Sequence, residues 1–137
     1  MKMLVMMLLI ILLGNSLASC EVVRVGAAIV GDKRVYQSLD LAELKKSDWN
    51  PSRGQVPLAP TKAILAANKF CNTNLLGKVT SGIWQLRLVS RKVEGVDRWY
   101  WLALYSIETD QAISGHSMLV VPVSFTGKIM VEITPMK

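Results

Sequence analysis

The sequence WQLRLVSRKVEGVDRWYWLALYSI, residues 84–107, predicts the centre of the fold as two β-strands joined by a short turn. Apolar and polar residues alternate from Trp84 to Leu88, which predicts one buried and one solvent-facing side for the first strand. From Trp99 to Ile107 both sides are apolar, which indicates a central strand covered on each face. The turn is Glu94–Asp97, where Gly95 can take a positive φ. We therefore expect the rest of the chain to cover this hairpin.

One helix is expected before the hairpin, in the sequence PTKAILAANKFC of residues 60–71. Proline suits the first helical position because the N–H that it lacks has no partner within the helix. Ala63, Ala67 and Phe70 fall on one stripe, and alanine allows a helix to approach a sheet closely. The pattern predicts a helix packed on the hairpin through its small residues.

Further strands are expected on both sides of these elements. Met118–Phe125 is a predicted strand in which Pro122 removes a hydrogen-bond donor, so that it lies at an edge or a bulge. A short strand follows at Ile129–Ile133. Residues 21–36 are rich in β-branched side chains and form either a hairpin or an arm added to a sheet edge. Residues 38–49 fit a short helix, or a strand leading into one.

These elements predict an α+β fold with one main helix packed on an antiparallel sheet of three to four strands. The helix and sheet follow an N-terminal signal peptide and an extended arm. The expected boundaries are a leader over residues 1–19, an arm with a short helix and a proline-rich linker over residues 20–57, and the α+β domain over residues 58–137.

The N-terminus has the three parts of a secretory signal peptide. Lys2 supplies a positive charge, an apolar run follows over Met3–Leu13, and Gly14–Ser16 is polar and turn-prone. The apolar run is shorter than the roughly 20 residues that span a bilayer. The leader predicts export to the periplasm or cell envelope.

Two processing routes fit the end of this leader. Leu17–Cys20 resembles the bacterial lipobox, which makes Cys20 a lipidation candidate and predicts a lipoprotein. Ordinary cleavage after Ala18 fits as well. If Cys20 is not acylated, a disulfide with Cys71, the second of the two cysteines, is an open alternative in an oxidising compartment. Otherwise Cys71 is expected to be a buried, inert thiol.

Composition and motifs argue against several classes of function. The formal charge is +6, but the basic residues are dispersed and form no stripe, so no nucleic-acid site is expected. A single histidine, His116, excludes a histidine-rich metal site, and isolated glycines form no phosphate-binding loop. His116 lies near Asp110 in a predicted loop without a nucleophile elbow. We expect no metal, no cofactor and no enzymatic activity.

Four stretches carry a resemblance: DWNPSRGQVPLAPTKAILAA, IWQLRLVS, DRWYWLALY and MLVVPVSFTGKIMVEITP, which together span Asp48–Pro135. The chain resembles small, uncharacterised exported bacterial proteins with a PepSY-like or cystatin-like α+β layout. The resemblance implies peptidase inhibition or regulation at the cell envelope. Lys92–Gly95 lacks the glutamine of the cystatin inhibitory turn.

One aromatic set is a candidate binding site. Alternation points Trp99, Trp101 and Tyr105 to the same side, beside Arg87 or Arg91 if the strand register allows. This arrangement would make a ligand or peptide platform with cation–π contacts. The same pattern also fits a second core face covered by the N-terminal arm or by residues 38–49, which is the interpretation we prefer.

The leading hypothesis is a non-enzymatic exported binding module of the cell envelope, which binds an unknown protein or peptide. The expected surface is the polar face or the edge of the residue 84–107 hairpin. Acylation of Cys20 would attach the module to the membrane. The alternative is a PepSY-type or cystatin-type peptidase inhibitor or regulator that acts through the Glu94–Asp97 turn.

Overall fold

The computed structural model describes residues 21–75, 79, 83, 85–107 and 118–136. Most of this part of the chain is β-structure, in two antiparallel sheets of three strands each. In chain order the elements are β1 (Val22–Val30), β2 (Lys33–Asp40), α1 (Leu41–Leu44), a 3-10 turn (Pro51–Arg53), α2 (Pro60–Asn74), β3 (Gln85–Val93), β4 (Val96–Ser106), β5 (Met118–Val123) and β6 (Val131–Pro135).

The strands divide into an N-terminal sheet, with the order β1-β2-β6, and a central sheet, with the order β3-β4-β5. In the N-terminal sheet, Val35 of β2 lies opposite Ala28 of β1 on one side and Ile133 of β6 on the other. In the central sheet, Trp101 of β4 lies between Leu88 of β3 and Val123 of β5. Each middle strand is therefore paired along both edges.

Met130 joins the two sheets through its backbone. Its N–H donates to the carbonyl of Pro122 (2.9 Å), which belongs to β5 of the central sheet, and its carbonyl accepts from the N–H of Ser38 (3.0 Å), which belongs to β2. The residue itself is buried. The chain leaves β5 through a turn in which Gly127 has a φ of 86°, and after Met130 it continues as β6 of the N-terminal sheet.

Helix α2 packs on one face of the central sheet through small side chains. Ala63 and Ala67 have no exposed surface, and they belong to the same core cluster as Trp101 and Tyr105. Because the side chain of alanine is a single methyl group, the helix can lie close to the aromatic rings. The helix begins at Pro60, as the sequence predicted.

The opposite face of the central sheet is covered by α1 and the end of β2. Leu39, Leu41 and Leu44 form a second core cluster with Tyr100 and Met130. Asp40 caps α1, since its carboxylate accepts a hydrogen bond from the N–H of Glu43 (3.2 Å). Both faces of β4 are thus buried, as the apolar character of residues 99–107 indicated.

The predicted α+β fold, with one main helix on a single sheet of three to four strands, is wrong. The described residues form six strands in two sheets, and the predicted extended arm is the hairpin of β1 and β2. This hairpin becomes part of a sheet by pairing with β6, as in the contact of Tyr36 with Glu132. Because β2 and β6 are so far apart in the sequence, the local pattern of residues does not show that they pair.

The close approach of α2 to the sheet gives a stability prediction. Replacing Ala67 with leucine adds three carbon atoms at a fully buried position, so the free energy of unfolding should fall by about 1–3 kcal/mol. The measurement is urea unfolding followed by circular dichroism. The control is Leu65→Ala on the exposed side of the same helix, which should change stability by less than about 0.5 kcal/mol. Equal effects at the two positions would contradict the packing described.

Candidate functional site

The two-residue turn between β3 and β4 fixes the register of the central hairpin. Val93 lies opposite Val96, and both turn residues have left-handed backbone conformations, with φ values of 52° for Glu94 and 79° for Gly95. Turns of this kind match the twist of the flanking strands. Every residue of β3 therefore has a defined partner in β4.

Strand β3 is an edge strand of the central sheet. It pairs with β4 along one side, and no other strand among the described residues pairs with its outer side. An edge strand presents unpaired backbone N–H and C=O groups that another strand can bind. The outer edge of Gln85–Val93 is therefore a surface for hydrogen bonding to an extended chain.

The register places the arginines and the aromatic side chains on opposite faces of the sheet. Arg87 lies opposite Leu102, and Arg91 lies opposite Arg98. Trp101 lies opposite Leu88. Directly opposed residues share a face, and neighbouring residues in a strand alternate, so Arg87 and Arg91 point away from the face of Trp101. The predicted platform of aromatic rings beside these arginines is not assembled.

Two of the three predicted aromatic site residues are core residues. Trp101 is 7% exposed, and its indole N–H donates to the carbonyl of Leu58 (3.0 Å). Tyr105 is 1% exposed, and its hydroxyl donates to Oδ1 of Asn68 in α2 (2.7 Å). Each polar atom has a partner within the protein, as buried aromatic residues require. These side chains hold α2 and the segment before it on the sheet.

The third aromatic residue, Trp99, is partly exposed and packs against Trp49. The two rings meet edge to face, with centroids 6.0 Å apart and planes at 85°. Trp49 makes a similar contact with Phe125 at 5.6 Å. Residues 38–49, which the sequence analysis offered as a cover for these aromatics, therefore cover Trp99 through Trp49.

The face of the hairpin that carries Arg87 and Arg91, the arginine face, has positive charge without a matching carboxylate among the described residues. Arg87 is exposed and Arg91 is partly exposed, and neither forms an ion pair or a side-chain hydrogen bond with the described residues. The guanidinium of Arg98 donates to the carbonyl of Ser47 (2.9 Å), and its Nε is buried without a partner in that part of the chain. Arg91 directly opposes Arg98, and like charges in this position repel.

Most acidic side chains elsewhere are already paired. The sequence has ten Asp and Glu residues, of which Glu108 and Asp110 lie outside the described residues, leaving eight. Six of the eight have a Lys or Arg partner: Glu132 with Arg24, Glu94 with Lys45, Glu43 with Lys46, Asp48 with Arg53, Asp97 with Lys92 and Asp40 with Lys128. Arg87 and Arg91 are therefore among the basic residues of the described part of the chain that have no carboxylate partner there.

Glu43 is a buried carboxylate that ties α1 to the turn after β5. It accepts hydrogen bonds from the hydroxyls of Ser124 (3.0 Å) and Thr126, and Lys46 lies 2.7 Å from its other oxygen. Burial acts to raise its pKa, but the hydrogen bonds from Lys46, Thr126 and Ser124 together outweigh burial and lower it. The carboxylate is therefore ionised at neutral pH and has a structural role.

Cys71 is a free, buried thiol beside Tyr105. Burial raises its pKa to about 11, so at neutral pH it is protonated and a poor nucleophile. The other residues that the sequence analysis considered for chemistry or processing lie outside the described residues: Cys20, His116, Asp110 and the leader over residues 1–19.

Two features are absent from the described part of the chain. No group of three or more His, Cys, Asp or Glu side chains suitable for a metal ion lies within it. None of its helices has the length and apolar character needed to cross a membrane.

Comparison with known proteins gave no relative. No protein-family model matches the chain, and no curated protein or solved structure matches it either. The resemblance to PepSY-like and cystatin-like proteins therefore stays a prediction.

Sequence reasoning named the edge of the hairpin as a candidate surface but missed Arg98. A two-residue turn centred on Glu94 and Gly95 would have placed Arg91 opposite Arg98, because the hairpin register follows from the turn. The buried position of Glu43 had no such signal, since its partners Ser124 and Thr126 lie more than 80 residues further along the chain.

Glu43 predicts a pH-dependent contribution to stability. Glu43→Gln should lower the free energy of unfolding by about 1–3 kcal/mol at neutral pH, because the buried donors lose a charged acceptor. The pKa of Glu43 is lower in the folded protein than its usual value of 4.5. Its contribution is therefore present above pH 4.5 and is lost as the pH falls through the folded-state pKa.

The measurement is urea unfolding of both proteins over a range of pH. The difference between wild type and Glu43→Gln should shrink as the solution becomes more acidic than pH 4.5. Asp48→Asn, at an exposed carboxylate paired with Arg53, is the control and should change stability little. A difference that stays constant over this pH range would contradict the ionised state of Glu43.

Proposed function

We propose that this protein is a non-enzymatic binding module of the cell envelope, which binds an extended acidic peptide segment along the outer edge of β3. One observation carries the proposal: an unpaired strand edge lies beside two arginines, Arg87 and Arg91, that have no carboxylate partner among the described residues. The edge supplies hydrogen bonds of the backbone, and the arginines supply selectivity for negative charge.

Peptide binding by strand addition uses both parts of this surface. The peptide lies antiparallel or parallel to β3, and its backbone bonds to the free N–H and C=O groups of the strand. Arg87 and Arg91 are four residues apart on one face, which corresponds to about 13 Å along the strand. Acidic residues four positions apart in the peptide can meet both guanidinium groups, and guanidinium and carboxylate groups form paired hydrogen bonds.

Arg98 strengthens the preference for an acidic ligand. It stands opposite Arg91 and is held by the carbonyl of Ser47, so it cannot move away freely from the charge of Arg91. A ligand carboxylate at Arg91 would relieve this repulsion. Uncompensated positive charge also speeds the encounter with an anionic partner.

The location at the cell envelope rests on the leader. Residues 1–19 have the composition of a secretory signal peptide. Acylation at Cys20 would hold the domain at a membrane face, where β1 begins two residues after the anchor. Proteins or peptides of the cell envelope are the partners within reach of a domain held in this way.

Peptidase inhibition through the hairpin turn is the second candidate function. The turn residues are exposed, and Val96 beside them is 48% exposed. The carboxylate of Glu94 lies 2.6 Å from the ammonium group of Lys45, in an exposed ion pair between the turn and the end of α1. An exposed apolar side chain beside a tight turn is the kind of feature that enters a peptidase cleft.

The charge of β3 gives a direct binding prediction. A synthetic peptide of about ten residues that alternates threonine and glutamate should bind the protein, and its glutamine counterpart should bind much more weakly. Arg87→Ala and Arg91→Ala should each weaken binding by about fivefold, which corresponds to about 1 kcal/mol for an exposed ion pair. Isothermal titration calorimetry measures these affinities, and added salt should weaken binding.

The matched control is Lys92→Ala. Lys92 has the same charge on the same strand, but it points to the other face and is paired with Asp97. Its removal should leave peptide affinity nearly unchanged. Equal losses for Lys92→Ala and Arg91→Ala, or equal affinity for the glutamate and glutamine peptides, would refute recognition by the arginine face.

The inhibitor candidate is tested at the turn. If the turn enters a cysteine peptidase, Val96→Asp should raise the inhibition constant at least tenfold, because it places a charge in an apolar contact. Arg87→Ala should leave inhibition unchanged. An absence of inhibition by the wild-type protein, or inhibition that Val96→Asp does not alter, would remove this candidate.

A further inference from the structure

The N-terminal sheet also ends in a free edge, and its chemistry is the opposite of that of β3. Strand β1 pairs with β2 along one side, and no strand among the described residues pairs with its other side. Three of its side chains are large, apolar and exposed: Val22 at 53%, Val25 at 40% and Ile29 at 51%. Exposed apolar residues on one edge strand mark a surface that a further strand can cover.

The single charge on β1 is already neutralised. Arg24 forms two hydrogen bonds with the carboxylate of Glu132, at 2.6 and 3.0 Å, and its guanidinium lies 4.2 Å above the ring of Tyr36. The strand contains no lysine, the residue that most often protects strand edges. A charged ligand therefore finds no free partner on β1, whereas an apolar strand does.

We propose that two copies of this chain pair through β1, antiparallel and with Val22 opposite the partner's Ile29. The two copies are then related by a two-fold axis near Val25 and Gly26, and their N-terminal sheets form one continuous sheet of six strands. This proposal does not depend on the function proposed for β3.

The register follows from the irregularity within β1. Val22 and Arg24 lie on the outer face of the sheet, opposite Asp40 and Ser38, and a β-bulge follows before Gly26. Beyond the bulge, Ala27 and Ile29 lie on the same outer face. When Val22 lies opposite the partner's Ile29, Arg24 lies opposite the partner's Ala27. On both sides of the bulge, each side chain on the outer face of one copy then lies beside a side chain on the outer face of the other.

The same register covers exposed apolar surface and avoids a clash of charge. Val22 and Ile29, each about half exposed, cover each other at both ends of the paired strands. The two copies of Arg24 are offset by three residues, which is about 10 Å along the strand. Each Arg24 also remains bound to Glu132 of its own chain.

Cysteine trapping tests the register directly. Residues 22 and 29 of one chain are about 23 Å apart along β1, so they cannot form a disulfide within one copy. Directly opposed residues of paired strands have Cα atoms about 5 Å apart, which suits a disulfide. The double variant Val22→Cys/Ile29→Cys of the full chain should therefore form covalent dimers under mild oxidation.

The single variants Val22→Cys and Ile29→Cys are the matched controls, since neither places two new thiols opposite each other. Cys71 is buried, and Cys20 is common to all variants, so any background is shared. At least a tenfold higher yield of dimer from the double variant supports the proposal. A yield equal to that of the single variants overturns it.

Sedimentation of the protein without new cysteines gives the second measurement. A single nine-residue strand pair is a small interface, so a dissociation constant in the micromolar range is expected. Ile29→Lys, at a half-exposed position that tolerates a charge, should weaken dimerisation at least tenfold while the circular dichroism spectrum stays unchanged. A protein that remains monomeric at millimolar concentration overturns the proposal.

Discussion

The fold depends on two backbone hydrogen bonds of Met130, one to Pro122 in the central sheet and one to Ser38 in the N-terminal sheet. Both bonds lie in a buried setting, where an unpaired backbone group is costly. They make Met130 a bridge between the two sheets, because the chain enters β6 directly after this residue and β6 pairs with β2. The strands therefore follow one another as β1, β2, β6, β5, β4 and β3, and within the described residues this series has two open ends, β1 and β3.

The two open ends differ in chemistry, and the proposed activities follow from this difference. Strand β3 carries Arg87 and Arg91, which have no carboxylate partner in the part of the chain that the structure describes, so it suits an acidic strand from another molecule and resists pairing with its own copy. Strand β1 carries Val22 and Ile29, and its Arg24 is satisfied within the chain. Strand β1 therefore suits pairing with β1 of a second copy of the chain. The aromatic residues between the two ends, Trp101 above all, stabilise the fold.

Local pattern predicted the elements whose partners are near in sequence. The hairpin of β3 and β4 was predicted because alternation and Gly95 mark strands and turn within 24 residues, and α2 was predicted from Pro60 and its alanine stripe. The N-terminal sheet was not predicted, because β2 pairs with β6, whose residues lie almost 100 positions further along the chain. The sequence could not show on which face the arginines lie for a related reason, since the register that separates Arg87 from Trp101 is a property of the paired strands.

Amide hydrogen exchange with and without the acidic peptide tests the central claim most directly. Strand addition at β3 should slow exchange at alternate amides within Gln85–Val93, those that point away from β4, because the added strand accepts their hydrogen bonds. Amides of β1 should exchange at unchanged rates at a protein concentration that keeps the chain monomeric. Protection confined to the turn at Glu94 and Gly95, or no change in β3 at saturating peptide, would contradict the account.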